Sequence, residues 1–132
     1  MRTLILLLVG IALGAAGTAV LINALNRGNA YPDGVMTVMG AQMRSMGGNL
    51  KQNRCAATDL LPRLQTLRFV ANDIEPAFAS MQSDAQFGRY ASALRAAADA
   101  ALTVPPGNCP AAQAVVDKID KACDSCHRDY RD

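Results

Sequence analysis

The sequence predicts an all-α protein: an antiparallel up-down-up-down four-helix bundle that follows an N-terminal apolar export or anchor helix. One observation is the uncharged apolar run from Thr3 to Leu25, which ends at the polar sequence NRGNA. The other is that apolar residues in the rest of the chain recur at steps of three and four, the spacing of one helix face, without the alternation of strands. Residues 1–30 are predicted to form the signal peptide or membrane anchor, and residues 31–132 the four-helix bundle.

The N-terminal segment has the features of an export signal. An uncharged stretch of about 20 residues can span the hydrocarbon core of a membrane as a helix. A basic start, an apolar run and the small residues Gly28 and Ala30 also fit a signal peptide that is cleaved near Ala30. The run is longer than an ordinary signal core, which favours an uncleaved anchor formed by residues 3–25. Under either interpretation the remaining chain is exported, and the expected location is a bacterial periplasm.

The first two bundle helices are predicted from stripes of apolar residues. The first begins near YPDG, with Asp33 as a cap, and its stripe consists of Met36, Met39, Met43, Met46 and Leu50. The second has Thr58 as its cap and ends or kinks at Pro76, and its stripe consists of Leu60, Leu64, Leu67, Ala71 and Ile74.

The third and fourth helices are predicted in the same way from their stripes. The third runs from about Asp84 to Leu102, and its stripe consists of Phe87, Tyr90, Leu94, Ala97 and Ala101. The fourth is capped by Asn108, with Pro110 in its first turn. Its inner face comprises Val115 or Val116, followed by Ile119, Ala122, Cys126 and Tyr130. Four such helices joined by short connections are typical of an up-down-up-down bundle.

Charge and composition exclude some functions. Without Arg2 and Arg27 of the N-terminal segment, the 13 basic residues fall to 11, which equals the number of acidic residues. No basic patch is visible, so nucleic acid is not an expected partner. No nucleophile or proton-transfer constellation indicates an enzyme. With no tryptophan and few aromatic residues, the core is thin for about 100 residues, and a buried cofactor would add apolar mass.

The residues that could bind a metal or cofactor are concentrated in the closing sequence KACDSCHRDYRD. Cys123, Cys126 and His127 form C-x-x-C-H, the pattern that attaches haem c through two thioether bonds and supplies an axial histidine. A zinc site is disfavoured because neighbouring cysteine and histidine cannot easily ligate one small ion. A thioredoxin-like pair would need a βαβ setting, which the sequence does not show.

The position of this motif on the last predicted helix resembles the cytochrome c′ family, whose final helix carries C-x-x-C-H-x-x-Y-R. Tyr130 and Arg131 match the last two letters, and the resemblance covers about residues 32–131. The sequence MTVMGAQMRSM is similar to the M-G-x-x-M pattern of the family's distal helix. The residue three positions before this pattern, here Met36, faces the open side of the iron in that family.

The resemblance implies one haem c per chain, attached by Cys123 and Cys126 and ligated by His127. A low-spin branch of the family uses methionine as the sixth ligand, so the resemblance implies that Met36 is a distal ligand. Met39 and Met43 are its competitors, or pack against the macrocycle edge. Ordinary core packing is the alternative for all three. His127 is the only histidine, which excludes bis-histidine ligation within one chain.

Other implied haem neighbours follow from the same resemblance. Tyr130 would pack near the haem, or serve only as bundle core. Arg131 would lie near the proximal face, or complement the helix dipole at the surface. The family often has an arginine four residues before the distal position, near a propionate, whereas this chain has Pro32 there.

Cys55 and Cys109 follow the first and third predicted helices. In an up-down-up-down bundle these two helix ends lie at the same pole, which predicts a disulfide between the two cysteines. Two free thiols are the alternative, although exported thiols tend to be oxidised.

These observations predict a periplasmic c-type cytochrome that carries single electrons for a membrane-linked redox chain. The alternative is a five-coordinate haem protein that binds nitric oxide or carbon monoxide. Members of the family often form homodimers, which leaves that assembly open here.

Overall fold

The computed structural model describes residues 2–27 and 30–131, and every regular element within those ranges is helical. The all-α class predicted from the sequence is therefore confirmed. The chain divides into two compact units, Met1–Asp33 and Gly34–Asp132.

The first unit contains helix α1, which spans Arg2–Arg27. Its segment Leu6–Ala24 is long and apolar enough to cross a membrane, with a mean hydropathy of 2.1. The large apolar side chains of this segment are exposed, Leu13 and Val20 among them. The predicted N-terminal apolar helix is thus present, and its composition fits either a signal sequence or an anchor.

The remaining helices follow from Ala30 onward. They are α2 (Ala30–Lys51), α3 (Ala57–Val70), α4 (Ile74–Ala77), α5 (Ala85–Thr103) and α6 (Cys109–Tyr130). Short 3₁₀ segments at Ala71–Asp73 and Ala79–Met81 flank α4. The backbone of α5 packs closely against both α6 and α3.

Side chains cap the starts of α5 and α6, and of the three caps predicted from the sequence only Asn108 forms as expected. The Asp84 carboxylate accepts hydrogen bonds from the backbone N–H groups of Gln86 and Phe87 at the start of α5. The Asn108 side chain accepts one from the Ala111 N–H at the start of α6. These side chains satisfy amide groups that have no partner within the helix.

The other two predicted caps are corrected by the structure. α2 begins at Ala30, so Asp33 lies within its first turn, where its negative charge still complements the helix dipole. α3 begins at Ala57 with Ala56 as its N-cap residue and no capping side chain, which places Thr58 inside the helix. Both errors are shifts of a helix start by a few residues.

The second predicted helix is interrupted before Pro76. Regular α-helix ends at Val70, and Pro76 is part of the four-residue helix α4. Pro76 has no N–H to donate to the carbonyl of Asn72, so a continuous helix would lose that hydrogen bond. Arg95 donates a hydrogen bond to the Ala71 carbonyl at 3.3 Å and thereby gives one carbonyl of the interrupted segment a partner.

The core includes buried residues from all four predicted stripes. All five stripe residues from Leu60 to Ile74 are buried. Phe87 and Leu94 of α5 are buried as well, whereas Tyr90 is half-buried. Of the two valines left open in α6, Val116 is buried and Val115 only partly so. In α2, Met39 and Met46 are buried together with Val35, which the predicted stripe omitted.

The structure joins Cys55 and Cys109 as a disulfide, with their Cα atoms 5.0 Å apart. Cys55 lies between α2 and α3, and Cys109 is the first residue of α6. The pairing predicted from the sequence is therefore the one that the structure contains.

Glu75 and Arg95 form a half-buried bidentate ion pair with distances of 2.6 and 2.7 Å. The hydrogen bonds from Arg95, reinforced by its charge, hold the pKa of Glu75 below its usual value. Because the folded-state pKa is lowered, the stabilisation is present above the unfolded-state pKa of about 4.3. It is lost as the pH falls through the folded-state pKa.

We expect Glu75→Gln to lower the free energy of unfolding by about 1 kcal/mol at pH 7 and by much less near pH 3. Urea unfolding at both pH values measures the difference. Asp59→Asn is the control, because it weakens the more exposed Arg54–Asp59 pair and should cost less than about 0.5 kcal/mol. An equal loss at both pH values for Glu75→Gln would contradict the ionic origin of the stabilisation.

Candidate functional site

A cleft of about 170 Å³ lies in the second unit, between side chains of α2, α5 and α6. Including the part that opens to solvent, the space measures about 760 Å³. Its walls contain apolar residues such as Ile74, Ala91 and Leu94. The side chains with sulfur or imidazole donors that line it are Met36, Met39, Met43, Cys123, Cys126 and His127. Residues almost ninety positions apart in the sequence therefore share one cavity.

Helix α6 places the C-x-x-C-H motif on the cleft because of its helical period. Positions three and four apart lie on the same face of a helix, so Cys123, Cys126 and His127 are neighbours on one surface. All three are half-buried, and both cysteines are free thiols. The predicted attachment residues and proximal ligand thus face a common apolar cavity.

The two thiols of the motif are held in the neutral form. Burial, followed by the negative charges of Asp120 and Asp124, raises the pKa of the Cys123 thiol to about 11. Burial and the charge of Asp129 raise the pKa of Cys126 as well. Redox-active C-x-x-C pairs instead depend on a lowered thiol pKa that produces a nucleophilic thiolate. This electrostatic setting disfavours a thioredoxin-like role.

Helix α2 contributes three methionine thioethers to the lining of the cleft. Met36 and Met43 are half-buried, and Met39 is buried. Gly40, which also lines the cleft, has no side chain to fill the space between these thioethers. A Cβ added there would lie 3.2 Å from the Arg44 guanidinium, the end of an exposed side chain that would have to shift by a few tenths of an ångström.

Two predicted haem neighbours, Tyr130 and Arg131, are not among the residues that line the cleft. The Tyr130 ring packs edge-on against Phe87, with ring centroids 5.3 Å apart. Arg131 follows the end of α6 with an exposed side chain, and its backbone N–H donates to the His127 carbonyl at 3.0 Å.

Several cleft residues were absent from the sequence-based site. Tyr90 lines the cleft although it was predicted only as part of the third stripe. Asp120 and Asp124 precede His127 on α6 by seven and three positions and also line the cavity. Their helical spacing from His127 was a usable signal. Ile74 and Leu94 could not be assigned to this wall without knowing how the helices pack.

The side chains around the cleft can be compared with what a haem group would require of the protein. Within residues 2–27 and 30–131, no three histidine, cysteine or acidic side chains are grouped to hold a metal ion. A haem requires no such group, because the porphyrin supplies four nitrogen ligands and the protein supplies only the axial positions. Two thiols beside one imidazole, thioethers on another wall and apolar surroundings match those requirements.

Comparisons of this chain with family models, with curated proteins and with solved structures found no match to any of them.

Proposed function

We propose that this protein is a c-type cytochrome that carries single electrons through one covalently attached haem with histidine–methionine ligation. The observation that supports this proposal most directly is the shared apolar cleft. It brings Cys123, Cys126 and His127 of α6 to the same cavity as Met36 of α2. Neither the motif nor the methionine stripe alone would favour an electron carrier to the same degree.

The proposed architecture is the antiparallel up-down-up-down bundle of the cytochrome c′ family, in its low-spin branch. Its helices would be α2, the interrupted α3–α4 segment, α5 and α6. The disulfide between the α2–α3 connection and the start of α6 supports this arrangement, since it joins two connections expected at one pole. The position of C-x-x-C-H on the last helix supports the family assignment.

When bound, the haem would supply the one-electron couple between ferric and ferrous iron. Cys123 and Cys126 would hold it through thioether bonds, and His127 would present an imidazole nitrogen to one axial position. Met36 would present its thioether to the other. Apolar walls that include Ile74 and Leu94 would exclude water, and a buried thioether ligand favours a higher reduction potential.

The proposed location is the periplasm, with redox proteins of a membrane-linked chain as partners. Helix α1 supports export, since Leu6–Ala24 fits either a signal or an anchor. An uncleaved α1 would keep the haem domain at the inner membrane. Cleavage near Ala30 would release it in soluble form.

The proposal predicts that the protein, produced together with a haem c maturation system and exported, carries one haem. A reduced-minus-oxidised spectrum should show the bands of haem c, and the intact mass should increase by one haem. Cys123→Ala with Cys126→Ala should abolish the covalent adduct, because it removes both thioether bonds.

A matched control is Ser125→Ala, which changes a residue of the same motif that has no attachment role. The Ser125 hydroxyl donates to the Lys121 carbonyl within the helix. If the wild-type protein acquires no haem under conditions that mature another c-type cytochrome, the proposed function is wrong.

A further inference from the structure

The last turn of α6 is tied to the beginning of α5 by two hydrogen bonds that run in opposite directions. The Tyr130 hydroxyl of α6 donates to Asp84 Oδ2 at 2.6 Å. The Tyr90 hydroxyl of α5 donates to Asp129 Oδ2 of α6, also at 2.6 Å. Each of the two segments therefore donates through one tyrosine hydroxyl and accepts through one aspartate carboxylate.

The Asp84 carboxylate has two separate structural roles. Its Oδ1 atom accepts the N–H groups of Gln86 and Phe87 and so caps α5. Its Oδ2 atom accepts the Tyr130 hydroxyl. The end of α6 is thereby hydrogen-bonded to the residue that caps the first turn of α5.

The tyrosine rings add packing to these hydrogen bonds. Tyr130 lies edge-on to Phe87 at 5.3 Å and edge-on to Tyr90 at 6.2 Å between ring centroids. Phe87 is only 3% exposed and belongs to the core. The rings connect the α6 terminus to the core, while the hydroxyl groups fix their direction.

This location matters because His127 lies in the same final turn. α6 ends at Tyr130, and the His127 carbonyl accepts the N–H of Arg131, the residue that follows the helix. Terminal turns open most readily, since few hydrogen bonds and contacts hold them. An imidazole that must stay on an iron atom requires that this turn remain closed.

We infer that the two tyrosine–carboxylate hydrogen bonds, Tyr130–Asp84 and Tyr90–Asp129, form a reciprocal latch that positions His127 as the proximal ligand. Closure of the helix end follows from the geometry alone. The effect on the axial ligand rests on the proposed function. Tyr90, Tyr130, Asp84 and Asp129 are thus positioning residues, and none of them is assigned a bond to the iron.

The test is the double variant Tyr90→Phe/Tyr130→Phe in the full-length holoprotein. Phenylalanine keeps both rings and removes only the hydroxyl groups. We expect amide hydrogen exchange at Tyr130 and Arg131 to accelerate about threefold to tenfold, as for loss of surface charge-assisted hydrogen bonds. We also expect the reduction potential to rise, because a less firmly held imidazole stabilises ferric iron less.

Two further variants separate local from general effects. Asp99→Asn weakens a 2.6 Å ion pair between Arg68 of α3 and Asp99 of α5 and should leave both readouts unchanged. Asp84→Asn keeps one side-chain oxygen to cap α5 but replaces Oδ2 by an amide nitrogen, which can only donate to the Tyr130 hydroxyl oxygen. Because a neutral hydrogen bond replaces a charge-assisted one, exchange should accelerate, by less than in the double variant.

The outcomes distinguish the two levels of the inference. Unchanged exchange in the double variant would overturn the latch. Faster exchange with an unchanged potential would overturn the positioning of His127, because a purely structural bond would act in that way. If the chain carries no haem, the proposed function and the positioning role both fail, and exchange in the haem-free protein still decides whether the latch closes the helix.

Discussion

Replacement of Met36 by alanine is expected to convert the ferric protein from a low-spin to a high-spin spectrum. The physical reason is that the substitution removes the proposed sixth ligand from a cleft whose other walls are largely apolar. The reduced variant should then bind carbon monoxide rapidly and tightly, whereas the wild-type protein should bind it poorly. Absorption spectra before and after addition of carbon monoxide measure both changes.

Met39→Ala and Met43→Ala are the matched controls, since these methionines line the same cleft. Loss of a buried methionine can cost about 2–5 kcal/mol of stability, so Met39→Ala also reports what core damage alone does to the spectrum. Both controls should remain low-spin. A high-spin spectrum with tight carbon monoxide binding in the wild-type protein would reject Met36 as a ligand and favour the gas-binding alternative.

Removal of the disulfide by Cys55→Ala/Cys109→Ala is expected to lower the free energy of unfolding by about 4 kcal/mol. The crosslink closes a loop between residues 54 positions apart and so restricts the unfolded chain. For a domain of this size the melting temperature should fall by roughly 15–30 °C. Thermal and urea unfolding of the exported protein, followed by circular dichroism, provide the measurement.

The haem spectrum of the same variant is the internal control, because the substituted cysteines are distinct from Cys123 and Cys126. It should be unchanged at temperatures at which the variant is folded. Intact mass after alkylation under non-reducing conditions should show that Cys55 and Cys109 of the wild-type protein do not react. Two alkylated thiols there, or a loss below about 1 kcal/mol, would contradict the crosslink's role.

A helix cap can be predicted from the sequence when it depends on residues that are close together in the chain. Asn108 was recognised as a cap because its side chain and the amide group that it satisfies are only three residues apart. The capping role of Asp84, which was predicted only as the approximate start of its helix, came from the structure. The prediction of Thr58 as a cap was wrong, because α3 already begins at Ala57 and has no side-chain cap. An end or kink at Pro76 was expected, but regular α-helix already ends at Val70. The Ala71 carbonyl there accepts a hydrogen bond from Arg95, which lies on another helix.

The sequence by itself determined the helical class, the apolar N-terminal helix and the C-x-x-C-H motif, because each follows from periodicity or spacing. The cysteine pairing was predicted from the expected order of the helices. Only the tertiary structure could place Tyr90, Ile74 and Leu94 on the cleft of His127. Their distance from α6 depends on how whole helices pack, which no repeat within one helix encodes. The tyrosine latch is of the same kind, since Tyr130 and Asp84 are 46 residues apart and meet only through packing of α5 on α6.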